Sequence, residues 1–244
     1  MVKHSFILDA IFSKIHLIKG LECMTFLTLK AVPVVPWSSS QPLNLRPKVS
    51  TLFYLCVGLS IFGLGEATLV AANVGVSPWT VLAEGVSSLV GVSLGLATLL
   101  VSACVLLIWI PLKQTPGIGT LANALIVSLV IELSLIFLPH PESYWLQVLQ
   151  AVAGVLLVGV GSGFYLVANL GPGPRDGLMT GLARLTDFPI AWVRTTLEIS
   201  VVSLGWSLGG TIGCGTLLFA FGIGPAVSLG LSIVGSSFAK ADAY

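Results

Sequence analysis

Asn73-Val74-Gly75-Val76-Ser77-Pro78-Trp79 returns 96 residues later as Asn169-Leu170-Gly171-Pro172-Gly173-Pro174-Arg175, and the rest of the chain falls into register around this pair. With the same offset and no gap, Gly63-x-Gly65 falls on Gly159-x-Gly161, and Leu82 and Gly85 fall on Leu178 and Gly181. Gly117-x-Gly119-Thr120-Leu121 falls on Gly213-x-Gly215-Thr216-Leu217. Among 27 glycines one such match is chance; a whole set in one register is not. The chain therefore carries an internal repeat, with one copy over 50–140 and a second over 146–236.

The repeat is built from apolar segments. Of 244 residues, 55% are hydrophobic and 9% charged, and the mean hydropathy is +1.01. A water-exposed surface usually needs about 25% charged residues, so a soluble globule is excluded. A bilayer core about 30 Å thick calls for roughly 20 apolar residues per crossing helix. Six segments qualify: 50–72, 94–112, 118–138, 146–168, 190–208 and 215–236. Two shorter ones, 78–90 and 174–186, each open on a proline, a favoured first helical residue. Their length and their Gly/Pro boundaries predict re-entrant or interfacial helices. The expected fold is all-α and polytopic, with six transmembrane helices plus two short ones.

Charge distribution orients this arrangement. With the N-terminus inside, Arg46, Lys48, Lys113, Arg175, Arg184 and Lys240 all fall on the cytoplasmic side, and the three outer connections hold no Lys or Arg. That is the positive-inside pattern, and it places both termini in the cytoplasm. Three spans per copy make the second copy enter the membrane in the opposite sense. The two copies are then inverted three-span repeats about an axis in the membrane plane.

Outside the repeats, 1–49 reads as an N-terminal extension and Pro-rich linker, poorly ordered, and 237–244 as a C-terminal tail. Residues 1–23 place apolar side chains at helical intervals among Lys3, Lys14 and Lys19. Such a segment is either a basic amphipathic helix on an anionic surface or an extension upstream of a second start at Met24. Residues 31–48, with Pro33, Pro36, Pro42 and Pro47, read as linker.

The candidate site residues are few. Gly171-Pro172-Gly173-Pro174-Arg175-Asp176-Gly177 turns sharply into a short helix whose free N–H groups favour an anion. Arg175 adds a planar donor fork. One reading is half of a site for a small anionic substrate; the other has Asp176 capping the helix and Arg175 anchored to lipid headgroups. Glu66, Glu132 and Glu198 lie within spans and Glu84 in a short helix, where a charge costs roughly 3 kcal/mol or more and needs a partner or a cavity. Arg194 stands one turn before Glu198, as an internal ion pair or as part of a proton- or cation-coupling site with Glu66. Asn73 and Asn169 end the first and fourth spans, either as helix stops or as ligand contacts. Glycines 63, 65, 159, 161 and 163 suit close helix packing. Trp79, Trp109, Trp145 and Trp192 lie near span ends, where an aromatic belt places them.

Some chemistries are excluded. The net charge of +1 gives no basic patch for nucleic acid. Four scattered cysteines and three unpaired histidines form no metal-ligand pattern, and no cofactor motif or nucleophile–base motif is present. Neither a catalytic nor a metal site is expected.

With these motifs in view, the chain resembles the YczE-like bacterial integral membrane proteins, which are distantly similar to the YitT group. The resemblance rests on Asn73 through Trp79, on Gly171 through Met179 with Gly181-Leu182, on Arg194-Thr195, on the two Gly-x-Gly-Thr motifs and on Gly222-Ile223-Gly224-Pro225. It covers about 50–236 and implies a multi-pass protein of the bacterial cytoplasmic membrane. The expected function is a small-molecule permease, monomeric or homodimeric in the lipid bilayer, and not an enzyme. The alternative is a non-transporting scaffold or accessory subunit.

Overall fold

The structure is a computed structural model in which residues 32–238 are described. The amphipathic segment expected at 1–23, the alternative start at Met24, and residues 239–244 of the tail lie outside the described residues. Among the described residues there are eight helices and no strand: α1 (Val49–Ala71), α2 (Pro78–Val90), α3 (Leu94–Trp109), α4 (Ile118–Leu135), α5 (Tyr144–Ala168), α6 (Pro174–Thr186), α7 (Ile190–Ser207) and α8 (Cys214–Phe238). The starts of α6, α7 and α8 follow those of α2, α3 and α4 by 96 residues each. The repeat read from glycines is thus a repeat of elements.

Local chemistry places the breaks. Asn73 and Asn169 adopt left-handed φ angles of 54° and 51°, and Gly75 and Gly171 follow at 100° and 107°. Asn tolerates this region, and Gly enters it without steric penalty. Each turn then meets a proline at the first helical position, after an extended Ser77 or Gly173. The two asparagines are helix stops, and Asn169 Nδ2 also donates to Ser39 O at 2.9 Å.

Packing between the copies is reciprocal. A Cβ on Gly65 would lie 2.6 Å from the backbone nitrogen of Val158, and one on Gly161 would lie 2.4 Å from that of Phe62; these are the same contact with the copies exchanged. It lets α1 and α5 cross at backbone distance in the centre of the molecule. The Gly-x-Gly-Thr motifs clasp the opposite copy in the same way. Gly119 N–H donates to Leu170 O at 2.7 Å, and Gly215 N–H donates to Val74 O at 2.8 Å. Each motif therefore seats the turn that begins the other copy's short helix.

Four helices, α1, α4, α5 and α8, are long and apolar enough to cross a membrane, and the pair α2 and α3, bent by 111°, makes a fifth if counted as one span. The expected count of six is not reached on length and composition. The expected spans 94–112 and 190–208 are the two that fall short. Helix α3 has 16 residues and stops at Trp109, and α7 carries Arg194 and Glu198 within its 18 residues.

Two further expectations need correction. Residues 32–48 form no regular element, but they are not a loose linker. Trp37 is buried against Tyr54, Phe164 and Phe238, and Thr51 Oγ1 donates to its carbonyl. Nor do all four tryptophans form a belt. Trp145 and Trp192 are exposed, but Trp79 and Trp109 are buried. Trp109 lies across Gly177, where a Cβ would come within 1.9 Å of its ring, and its Nε1 donates to Pro174 O at 3.0 Å.

The reciprocity fails where α3 meets α4 and α7 would meet α8. Helix α3 packs along α4 because Gly95 approaches Ser128, and Gly95 N–H donates to Glu132 Oε2 at 3.0 Å. Their repeat mates are Ala191 and Ser228, which offer neither the small surface nor the carboxylate. Helices α7 and α8 do not pack along each other, and a cavity lies between them.

Candidate functional site

Glu66 sits in the last turns of α1, fully buried at 0% exposure. An isolated charge there is strongly unfavourable, so its partners decide what it does. Its Oε2 accepts from Ser77 Oγ at 2.8 Å and from Thr80 Oγ1 at 2.9 Å. These hydroxyls come from the extended residue before α2 and its first turn, which the Asn73–Gly75 turn brings beside Glu66. Its Oε1 accepts no hydrogen bond among the described residues. It lies 3.6 Å from Arg175 Nη1, inside ion-pair range and beyond hydrogen-bond range.

Arg175, in the first turn of α6, is therefore turned inward toward Glu66. Its guanidinium lies over the rings of Phe62 at 5.7 Å and Trp79 at 5.9 Å, a geometry of favourable cation–π attraction. Among the described residues it makes no hydrogen bond, although a guanidinium carries five donors. About a quarter of the side chain remains exposed, and it lines the cavity.

That cavity has a volume of about 230 Å³. Arg175, Asp176, Arg194 and Glu198 supply its charge, and Phe219 and Ile223 of α8 its apolar wall. Asp176 does not cap α6, which has no side-chain cap; instead its Oδ2 accepts from Tyr165 Oη across from α5. Arg194 Nε donates to Glu198 Oε1 at 2.9 Å, one helical turn apart. Replacing Tyr165 by Phe deletes the donor and leaves Asp176 to solvent. A loss of about 1 kcal/mol, read as a lowered melting temperature in detergent, is the expected outcome.

Residues 49–231 match the model of a family described as a family of unknown function, DUF6198. The chain belongs to this family. Relatives of the DUF6198 chain agree. An "Uncharacterized protein" of Haemophilus influenzae is 37% identical over 206 residues, covering 84% of this chain and 94% of the relative. The "Uncharacterized membrane protein YczE" of Bacillus subtilis is 31% identical over 170 residues, covering 69% and 79%. "Uncharacterized protein YyaS" of the same organism is 28% identical over 170 residues, covering 68% and 84%. No solved structure matches. The resemblance to YczE-like proteins holds, and this DUF6198 chain is a multi-pass integral membrane protein.

Of the residues singled out in the DUF6198 sequence, the structure brings Arg175, Asp176, Arg194 and Glu198 to one cavity, with Glu66 directly behind Arg175. Asn73 and Asn169 do not line it. Two other carboxylates hold backbone: Glu132 at the start of α3, and Glu84, whose Oε2 accepts from Thr211 N at 2.8 Å. Sequence reasoning missed Phe62, Trp79 and Tyr165 as walls and Ser77 and Thr80 as partners of Glu66. Trp79 had one available signal, since it is the repeat mate of Arg175.

Proposed function

We propose that the protein is a transporter of small anionic solutes and that the cavity beside Arg175 is its substrate site. One observation carries this reading: a guanidinium held between two aromatic rings and a buried carboxylate, facing a cavity, with no hydrogen-bond acceptor of its own among the described residues. A carboxylate or phosphate is the ligand whose paired oxygens match that fork. The N-terminus of α6 lies at the same point and adds a partial positive charge. Glu66 keeps the guanidinium fixed in charge and direction without occupying its donors at hydrogen-bond distance.

The architecture proposed around the site has six crossing strokes, with α3 and α7 as short crossings joined to α2 and α6, and two inverted repeats. Reciprocal contacts between the copies support a two-fold relation, and an odd number of crossings per copy then inverts the second. The Lys and Arg distribution supports a bacterial cytoplasmic membrane location with both termini inside.

Flux into proteoliposomes tests the function. Uptake of one class of small carboxylates or phosphates above protein-free vesicles is expected. Arg175→Gln is expected to weaken its half-saturation roughly 100-fold, the equivalent of about 3 kcal/mol for a lost charge-assisted pair. Unchanged uptake in Arg175→Gln removes Arg175 from the site, and no uptake across the panel argues against transport.

A further inference from the structure

A second and much smaller void, of about 10 Å³, lies on the α3 side of Trp79 and Arg175. Seven of its nine lining residues have a repeat mate, at the 96-residue offset, that lines the cavity. Thr80, Thr98 and Ser102 line the void; their repeat mates Asp176, Arg194 and Glu198 line the cavity. Trp79 and Arg175, themselves repeat mates, line both. The two spaces are thus the same feature of the two copies, separated by a partition of one indole and one guanidinium. They differ in size because α3 is held against α4 by Gly95 and Glu132, whereas α7 stands away from α8.

We propose that the void is a second vestibule for the same anionic solute, closed in this conformation and opened in another by the converse packing. This inference rests on the transporter reading of the cavity. In the converse conformation α7 closes on α8, α3 leaves α4, and Arg175 faces a vestibule lined by Thr80, Thr98 and Ser102. Each packing already exists in one copy, and the α7–α8 seam, with Ala191 and Ser228 in place of Gly95 and Glu132, closes without the hydrogen bond that holds α3 on α4. The chemistry of the void suits an acceptor-bearing solute. Besides Arg175 its polar lining is the hydroxyls of Thr80, Thr98 and Ser102 and Trp79, whose buried Nε1 has no hydrogen-bond partner among the described residues, and Ala83, Val101, Val105 and Pro174 complete the wall. The carboxylate and cation of the open side, Glu198 and Arg194, are replaced by neutral Ser102 and Thr98. A solute released on the α3 side therefore meets weaker competing charge than on the α7 side.

Thiol accessibility distinguishes this two-vestibule mechanism from a single static cavity. Ser102→Cys and Glu198→Cys are made separately in the full chain with its four native cysteines replaced, and right-side-out and inside-out vesicles are treated with a membrane-impermeant thiol reagent. Labelling of Glu198→Cys from one side and of Ser102→Cys from the other is expected. Thr98→Cys, one turn earlier, repeats the second measurement. Glu132→Leu, which removes the acceptor holding Gly95, is expected to raise the labelling rate at Ser102→Cys about tenfold. Resistance of both α3 positions from both sides, or labelling of all positions from one side, overturns the proposal. Carboxylate flux is measured on the same variants. Flux with protected α3 cysteines removes the second vestibule and leaves the transporter, whereas opposite-side labelling without flux of any solute keeps the two vestibules and removes the transport reading.

Discussion

Arg175→Ala is expected to destabilise the detergent-solubilised protein by about 3–5 kcal/mol, the range for stripping a buried charge of its partner. The partial exposure of the Arg175 side chain would suggest a smaller loss, but the loss is set by what remains. Glu66 is fully buried, and only its Oε2 is hydrogen bonded. Without Arg175, the nearest cation to Oε1 is gone and no donor replaces it. Arg175→Ala combined with Glu66→Gln should recover most of the stability, because the amide oxygen still accepts from Ser77 and Thr80 while the charge is removed. The double variant should not recover anion binding, which needs the guanidinium itself. Thermal unfolding of the four proteins in one detergent reads the non-additivity directly. Additive losses would mean that Glu66 and Arg175 do not act as a pair.

Gly117→Ala and Gly213→Ala are expected to be nearly as damaging, at about 2–3 kcal/mol each. A Cβ at Gly117 would stand 2.3 Å from Leu170 O, and one at Gly213 would stand 2.3 Å from Val74 O. Both obstacles are backbone atoms that cannot rotate away. Relief requires the clasp to open, which removes the Gly119–Leu170 or Gly215–Val74 hydrogen bond and lets the short helix of the other copy shift. Since the two sites are repeat mates, their melting temperatures should fall by similar amounts. Gly224→Ala, where a Cβ meets nothing within 4 Å, serves as the control. A large drop in one clasp variant and none in the other would show that the copies do not bear load equally.

Much of this is legible in the sequence. The repeat could be read because close backbone approach admits only glycine, so the packing geometry left its mark at fixed offsets in the chain. Gly65, Gly161 and the Gly-x-Gly-Thr motifs sit where a Cβ would collide. Arg175 could be singled out because proline, glycine and a charge beside an apolar run have few explanations. The partners of Arg175 were not legible. Phe62, Glu66 and Trp79 come from α1 and α2, about 100 residues away, and pairing across that distance leaves no local pattern. Trp79 and Trp109 were misread because a tryptophan at a helix end looks alike whether it faces a headgroup or a neighbouring helix. Trp37 was hidden by four prolines, whose composition signals a linker even where one aromatic ring pins the segment down. The shortfall in spans has a similar origin. Apolar character continues past Trp109, but the helix itself stops there.

The glutamates show how far burial alone misleads. Four lie in apolar segments, where each charge needs a partner or a cavity, and two of them, Glu66 and Glu198, suggested a site. The other two, Glu84 and Glu132, satisfy backbone N–H groups at a chain turn and a helix start. Glu198 is paired on its own helix, and of the four only Glu66 retains a buried oxygen without a hydrogen bond among the described residues. That oxygen faces Arg175, which lines the cavity and whose guanidinium makes no hydrogen bond among the described residues, and this pairing marks the site.

The most direct test of the account is ligand-induced stabilisation of the wild-type protein beside Arg175→Lys, a variant that keeps the positive charge opposite Glu66 but loses the planar fork. Both proteins are melted in detergent with small carboxylates, phosphates, amino acids and organic cations. A ligand specific for the folded state adds about 2.7 kcal/mol at a hundredfold excess over its Kd. Stabilisation of the wild type by one anionic class, with loss of most of that effect in Arg175→Lys, is the expected result. Stabilisation by cations alone, or by anions equally in both proteins, would contradict it.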